Sequence, residues 1–481
     1  MDDGRAMPSR DARMPGFTSG NAAVAKPALG RASMLAASDF VWLSGFYGAG
    51  ASLILQRSPP AELVAISSAA AGFSLLVLFA LGLYGRDAMY SDEIATRRLF
   101  VAGIADFLAF YLPMFLLLDA VGGARGHVGL FLTVMSAHAA AFAARLAIVH
   151  RFRLPLMRRN ILVVGRGHRA MRLRALVGRT MAHEISIRAH VAAGDAPGPA
   201  AMSVPWIEDV AAEGGLLPVA RRLAVDEIVV ASDDPSAIPM AELLRCKTEG
   251  LRIRDDTRFL EEEIGYVDTW TATAEWFVFA SGFARGEAFH VAKRSFDIVA
   301  STATLLLTAP LLALAALAIR LEGPGPIFYR QERSGLGGKP FTLVKFRSMR
   351  VDAEASGPRW ASMADPRVTA IGRILRATRL DEVPQVFNVL AGDMSFVGPR
   401  PERPVFVHEL EAALPFYAER HRVKPGITGW AQINYPYGAS LEDAREKLAF
   451  DLYYVKNASI LLDLVILLQT LRVVLFQSGA R

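Results

Sequence analysis

The sequence is short of cysteine, of charge and of nucleic-acid motifs, and each shortage closes off a class of function. One cysteine, Cys246, in 481 residues excludes a disulfide framework and any cysteine-rich metal site. Charged residues make up only 21% against 52% hydrophobic, and the mean hydropathy of +0.29 is too high for an ordinary soluble protein. No RNA- or DNA-binding signature occurs, and "MAHEIS" lacks the second histidine of a zinc-protease motif. The net charge of +6 therefore points to anionic lipid head groups or phosphorylated substrates, and not to nucleic acid.

What is present begins with a polar, basic stretch over residues 1–36, expected as a disordered cytoplasmic tail; the first apolar run starts too late for a cleaved signal peptide. Four apolar runs follow, near 38–56, 62–84, 99–121 and 128–149, each close to the roughly 20 residues a spanning helix needs. They predict four transmembrane helices within 37–150. Basic residues gather before the first run (Lys26, Arg31), between the second and third (Arg86, Arg97, Arg98) and after the fourth (Arg151, Arg153, Arg158, Arg159). The other two loops hold only Arg57 and Arg125, so both ends of the bundle face the cytoplasm.

Residues 151–284 change to short apolar strands alternating with helical stretches: "ILVVGRGHRA", "ISIRAHVAAG", "VDEIVVASDD" and "GLRIRDD". This pattern predicts a Rossmann-like α/β domain with a linker. Gly165, Gly167 and Ala170 match the G-x-G-x-x-A turn at which a helix N-terminus could hold a pyrophosphate. However, Asp195 comes too late for a ribose contact, and a Tyr-x-x-x-Lys pair is missing, which argues against an NAD-dependent enzyme. The simpler reading is that the glycines shape a strand-to-helix turn.

The last part, 285–481, crowds charge and proline together. Arg330, Arg333, Lys339, Lys345, Arg347, Arg376, Arg379, Arg400 and Arg403 make a cationic set suited to diphosphate, since guanidinium binds phosphate oxygens two at a time. Within it sit two adjacent carboxylates, Asp381 and Glu382. On a helix they point in different directions and cannot do the same job: in a site for phosphoryl chemistry one can attack phosphorus while its neighbour holds Mg2+, and a solvated Asp-Glu pair at a helix start is the competing reading.

The segments "KRSFD", "PGPIFYRQERSGLGGKPFTLVKFRSM", "RLDEVPQVFNVLAGDMSFVGPRP", "KPGITGWAQIN" and "FDLYYVKNASILLDLVILLQT" together resemble the bacterial sugar transferases, monotopic polyprenyl-phosphate phosphoglycosyl transferases. The four spans and α/β domain ahead of them resemble the long-form members. The resemblance implies a membrane protein with a C-terminal α+β catalytic domain at 285–481. It implies Asp381 as the nucleophile on the β-phosphate of a UDP-sugar, glucose or galactose foremost, with release of UMP and transfer to undecaprenyl phosphate. Glu382 would bind Mg2+, and Arg400 a substrate phosphate. Lys345, Arg347 and Arg379 are further phosphate contacts, with a structural salt bridge the competing role for Lys345 and Arg347. A homodimer is compatible with this reading, as is a competing one, a non-catalytic, nucleotide-sensing membrane scaffold.

The apolar stretch 298–319 carries Pro310 in its middle. A crossing there would part Asp381 from a cytoplasmic sugar donor, so a re-entrant helix-break-helix is expected, with Lys293, Arg294 and Arg320 at its two mouths snorkelling to head groups. Thr308 is expected to bond the carbonyl near Thr304 and so ease the kink. Trp430 and Gln432 can serve as core or substrate contacts, and the helix at 460–476 is expected to lie on the membrane surface, with packing against the core the competing reading.

Overall fold

The structure is a computed structural model and describes residues 29–55, 61–84, 92–151, 158–182, 184–193, 205–353, 365–435, 438 and 440–476. Most of the expected tail, and Asp195, lie outside them.

Helices Leu29–Leu55 and Ala61–Ala80 pack with the helical segment Asp92–Arg151 around Leu43, Leu78, Ala102 and Val134. That segment doubles back on itself. Asp106 lies 3.0 Å from His138 and the rings of Phe107 and Phe131 are 5.3 Å apart, whereas an unbroken helix would part Asp106 and His138 by about 48 Å. The third and fourth apolar runs are thus neighbours, as in a bundle. Its outer face is apolar, with Leu53, Ile66 and Phe100 exposed.

The α/β domain is built on five parallel strands in the order β3-β2-β1-β4-β5: β1 Arg159–Val164, β2 Ile185–Val191, β3 Trp206–Ile207, β4 Glu227–Val230 and β5 Arg252–Asp255. The twofold alternation of a strand sends Leu162 and Val164 to one core and Ile161 and Val163 to another. The second core does not stop at the domain's edge. It runs on through Tyr266 into Trp430, Leu448, Tyr453 and Ile466, so the α/β domain and the C-terminal part share one interior.

In the C-terminal part the helix Glu287–Glu322 is followed by the antiparallel hairpin β6 Phe328–Ser334 and β7 Pro340–Phe346, then short helices, the parallel pair β8 Ser395–Val397 and β9 Gly426–Thr428, and the helices Leu441–Asn457 and Ile460–Phe476. A capping box between Ser440 and Asp443 starts the first of these last two. Three expectations are corrected here. The helix Glu287–Glu322 continues through Pro310 where a break was expected. Thr304 and Thr308 hydroxyls bond the carbonyls of Ala300 and Thr304 at 2.8 and 2.7 Å, as expected of Thr308, in the turns just before the proline.

Lys293 and Arg294 do not reach outward as expected. Lys293 pairs with the buried Asp463 at 2.7 Å, and Arg294 caps the Val389 and Leu390 carbonyls at 2.6 and 2.7 Å. Nor does the helix Ile460–Phe476 lie free on a surface: Asp463, Ile466 and Gln469 bury one face against the core, leaving Leu461 and Leu464 exposed.

Candidate active site

The helix Ala370–Ala377 ends at Thr378, and Arg379 takes a left-handed conformation (φ 59°) that turns the chain into the 3-10 helix Leu380–Gln385. At three residues per turn, Asp381 and Glu382 diverge by roughly 120°. Both are buried, at 8% and 9% exposure, but their surroundings differ.

Glu382 faces cations. Arg400 donates to it at 2.7 Å, Lys345 at 3.2 Å, and Arg379 stands 3.7 Å away. Burial opposes its charge, yet Arg400 and Lys345 hold its carboxyl well below the usual carboxylate range. Among the described residues no hydrogen bond or ion pair reaches the Asp381 carboxylate. Burial, with Glu382 beside it, pushes Asp381 up to about 6 against the pull of Lys345, Arg376 and Arg400. Burial likewise lowers the Lys345 ammonium, which Glu382 partly offsets.

Lys345 reaches the dyad because β7 is pinned. The Asn388 side chain accepts from Val344 N at 3.0 Å and donates to Thr342 O at 2.7 Å, standing in for a neighbouring strand. Arg400 follows the bend at Gly398 and Pro399 that ends β8. The approach of β8 to β9 needs glycine, since a Cβ on Gly426 would lie 2.1 Å from Gly398 N.

Of the sequence-predicted set, the structure gathers Asp381, Glu382, Lys345, Arg379 and Arg400. It removes Arg347 as a phosphate contact. β7 ends at Phe346, and the Arg347 guanidinium turns back to cap the helix Glu287–Glu322 at Ile319 O, Gly323 O and Pro324 O, 2.9 to 3.1 Å away. Arg330 and Lys339 are exposed on the hairpin, and Arg333 bonds Pro401 O at 3.1 Å. Trp430 is core, its indole donating to Gly265 O at 2.7 Å, and Gln432 donates to Ile427 O at 3.2 Å. Sequence reasoning missed Asn388 and the buried pair Arg420–Asp451, because their partners lie far off in the chain.

Among the described residues no three His, Cys, Asp or Glu side chains converge as a metal cluster. Two adjacent carboxylates offer oxygen ligands of the kind a hard ion such as Mg2+ takes, with waters and phosphate supplying the rest; both Glu382 oxygens face Arg400, Lys345 or Arg379, so an ion there would share the carboxylate with them.

At the glycine-rich turn of the α/β domain the helix N-terminus is already engaged by a side chain. The helix His168–Thr180 begins with the His168 and Arg169 amides donating to the Asp233 carboxylate, at 2.5 and 2.9 Å. Gly165 is required by packing: at φ 131° its Cβ would meet Ala231 O at 2.2 Å.

Comparison with known proteins places residues 288–477 under the family model "Bacterial sugar transferase". A UDP-N-acetylgalactosamine-undecaprenyl-phosphate N-acetylgalactosaminephosphotransferase of Aeromonas hydrophila is 46% identical over 189 residues, 39% of this chain and 45% of the relative. A UDP-glucose:undecaprenyl-phosphate glucose-1-phosphate transferase of Caulobacter vibrioides is 46% identical over 180 residues, 37% of this chain and 67% of the relative. An exopolysaccharide production protein PSS of Rhizobium leguminosarum bv. phaseoli is 43% identical over 192 residues, 37% of this chain and 93% of the relative. The match therefore spans less than half of the Aeromonas relative and nearly all of the Rhizobium one.

Proposed function

The chain belongs to the bacterial sugar transferase family, and from that premise we propose that it transfers a sugar 1-phosphate from a UDP-sugar to undecaprenyl phosphate, in the first step of exopolysaccharide or O-antigen repeat-unit assembly. The observation that carries the reading is the division of labour in the dyad. Glu382 is paired with three cations, and Asp381 is buried with no hydrogen bond or ion pair to its carboxylate among the described residues.

An Asp381 oxygen attacks the β-phosphorus of the UDP-sugar, forming a P–O bond as the bond from that phosphorus to the bridging oxygen breaks. UMP leaves with the electron pair. A phosphate oxygen of undecaprenyl phosphate then attacks the same phosphorus and releases Asp381, giving undecaprenyl-diphospho-sugar. Arg400, Lys345 and Arg379 hold the non-bridging oxygens in which charge develops. When bound, Mg2+ would sit on Glu382 and neutralise diphosphate charge. The relatives' names carry glucose and N-acetylgalactosamine, so the donor is a UDP-hexose of that kind.

We place the catalytic part on the cytoplasmic face of the bacterial inner membrane, anchored by the N-terminal bundle. The helix Glu287–Glu322 is long and apolar enough to enter the bilayer, and its middle exposes Leu306, Leu307, Leu311 and Leu314. Near one end Asp297 accepts from Ser395 and Phe396, and near the other Ile319 O accepts from Arg347. A straight rise from Asp297 to Ile319 is about 33 Å, close to the 30 Å hydrocarbon core. A crossing would put those ends in opposite water layers, yet one folded body holds both. This supports a helix that enters the membrane from one face without crossing it.

The scaffold alternative depends on nucleotide binding in the α/β domain, and Asp233 fills the place where a pyrophosphate would sit. Membranes containing the full chain, given a panel of UDP-sugars with undecaprenyl phosphate, should release UMP. Full activity in Asp381→Asn, or no UMP from any donor, overturns the assignment.

A further inference from the structure

We propose that Arg420 and Asp451 are positioning residues for Arg400, setting where its guanidinium stands relative to Glu382 and the substrate phosphates. The inference rests on the assignment of Arg400 to a substrate phosphate made above.

Arg400 belongs to no helix or strand, and its side chain is 33% exposed. A long side chain rooted in a loose segment would hold a phosphate poorly, so its precision has to come from the backbone beneath it. That backbone is tied at successive residues. Gly398 N donates to Thr428 O and Gly426 N to Pro399 O, both at 2.9 Å, while Ser334 N donates to Glu402 O at 2.9 Å. Arg400's own carbonyl accepts from the Arg420 guanidinium at 2.9 Å.

Arg420 is itself locked. Its Nε and Nη2 donate to Asp451 Oδ2 at 3.1 and 2.8 Å, and its Nη1 to the Tyr417 hydroxyl at 3.1 Å. Arg420, Asp451 and Tyr417 are only 5%, 2% and 4% exposed. A buried ion pair seldom stabilises more than apolar residues of the same volume, so stability alone gives little reason for one here. A rigid planar fork anchored on a carboxylate does give direction, and this one is aimed at the carbonyl of a substrate-facing residue. Asp451 stands on the helix Leu441–Asn457, whose Glu446 accepts from Arg172 and Tyr266 of the α/β domain at 2.7 and 2.9 Å. The pair therefore connects the shared core to the phosphate-binding arginine.

The test uses the full chain in nanodiscs, with single-turnover UMP release, steady-state kinetics and thermal unfolding. Arg420→Met leaves a buried carboxylate behind, so the double variant Arg420→Met/Asp451→Leu, which removes both charges, accompanies it. The double variant is expected to unfold near the wild-type temperature while losing about 10²-fold in kcat. Combined with Arg400→Lys, it should add little to the loss from Arg400→Lys alone, the non-additivity of residues acting through one another. A folded double variant with wild-type kcat, beside a defective Arg400→Lys, overturns the positioning role and leaves the Arg400 assignment standing. So does a loss that multiplies fully onto that of Arg400→Lys. Wild-type activity in Arg400→Lys overturns both.

Discussion

At the dyad, burial and charge act on two adjacent carboxyls with opposite results. Asp381 is carried up to about 6, while Glu382, despite its burial, stays ionised through Arg400 and Lys345. A nucleophile must be deprotonated, and a raised value means that the reactive form is lost as pH falls through it. The kcat/KM for UMP release should therefore drop about tenfold per pH unit below an acid limb near pH 6, which the dyad titrates as a pair. A profile flat well below that pH would contradict the assignment. Glu382→Gln keeps the shape and loses the charge; a fall of about 10²-fold in kcat is expected, beside a lowered unfolding temperature, because Arg400 and Lys345 lose their counter-charge. The adjacency of the two carboxyls and the arginines around them can be read in the sequence, but most such pairs are solvated, and it was the family resemblance that singled this one out. Arg347 was misread for a local reason. Two residues after Lys345 it should share that residue's face of a strand, but the strand ends at Phe346 and frees Arg347 to turn away.

Among elements, the helix Glu287–Glu322 joins membrane and chemistry, and Arg347 is its C-terminal clamp. Arg347→Ala removes charged donors from three carbonyls and should cost about 1–3 kcal/mol. The unfolding temperature should fall while the KM for the UDP-sugar holds; a raised KM with unchanged stability would return Arg347 to the substrate. Pro310→Leu restores the missing backbone donor and straightens the helix. A C-terminal tag should become less accessible from the cytoplasmic side, and an unchanged tag would show that the contacts at the helix ends, and not the proline, turn the chain. The apolar character and the proline were readable from composition. The partners of Lys293 and Arg294, on Asp463 and the 389–390 carbonyls, were not, because they come from far along the chain.

For the whole molecule, the parallel sheet was legible from its alternation of strands and helices, but its independence was not. Period-two patterning tells which residues are buried and is silent on what covers them. Here Ile161 and Val163 share a core with Leu448 and Tyr453, and Arg172, Tyr266 and Glu446 form a buried polar knot across the join. The α/β domain and the catalytic part should therefore unfold in one cooperative step, seen by calorimetry and by tryptophan fluorescence together. Glu446→Gln should lower that single midpoint, by several degrees or less, without splitting it in two.

A helix held at both ends by one rigid body has a fixed reach. A spanning helix must tilt or strain when the bilayer thickens, but one that dips and returns measures depth from its own surface. The distance of Asp381 from the head groups should thus be indifferent to acyl-chain length. The helix Ala61–Ala80 touches the helix Ile460–Phe476, so any strain in the N-terminal bundle would reach the catalytic body there. The enzyme would carry its own depth gauge, calibrated to a single leaflet.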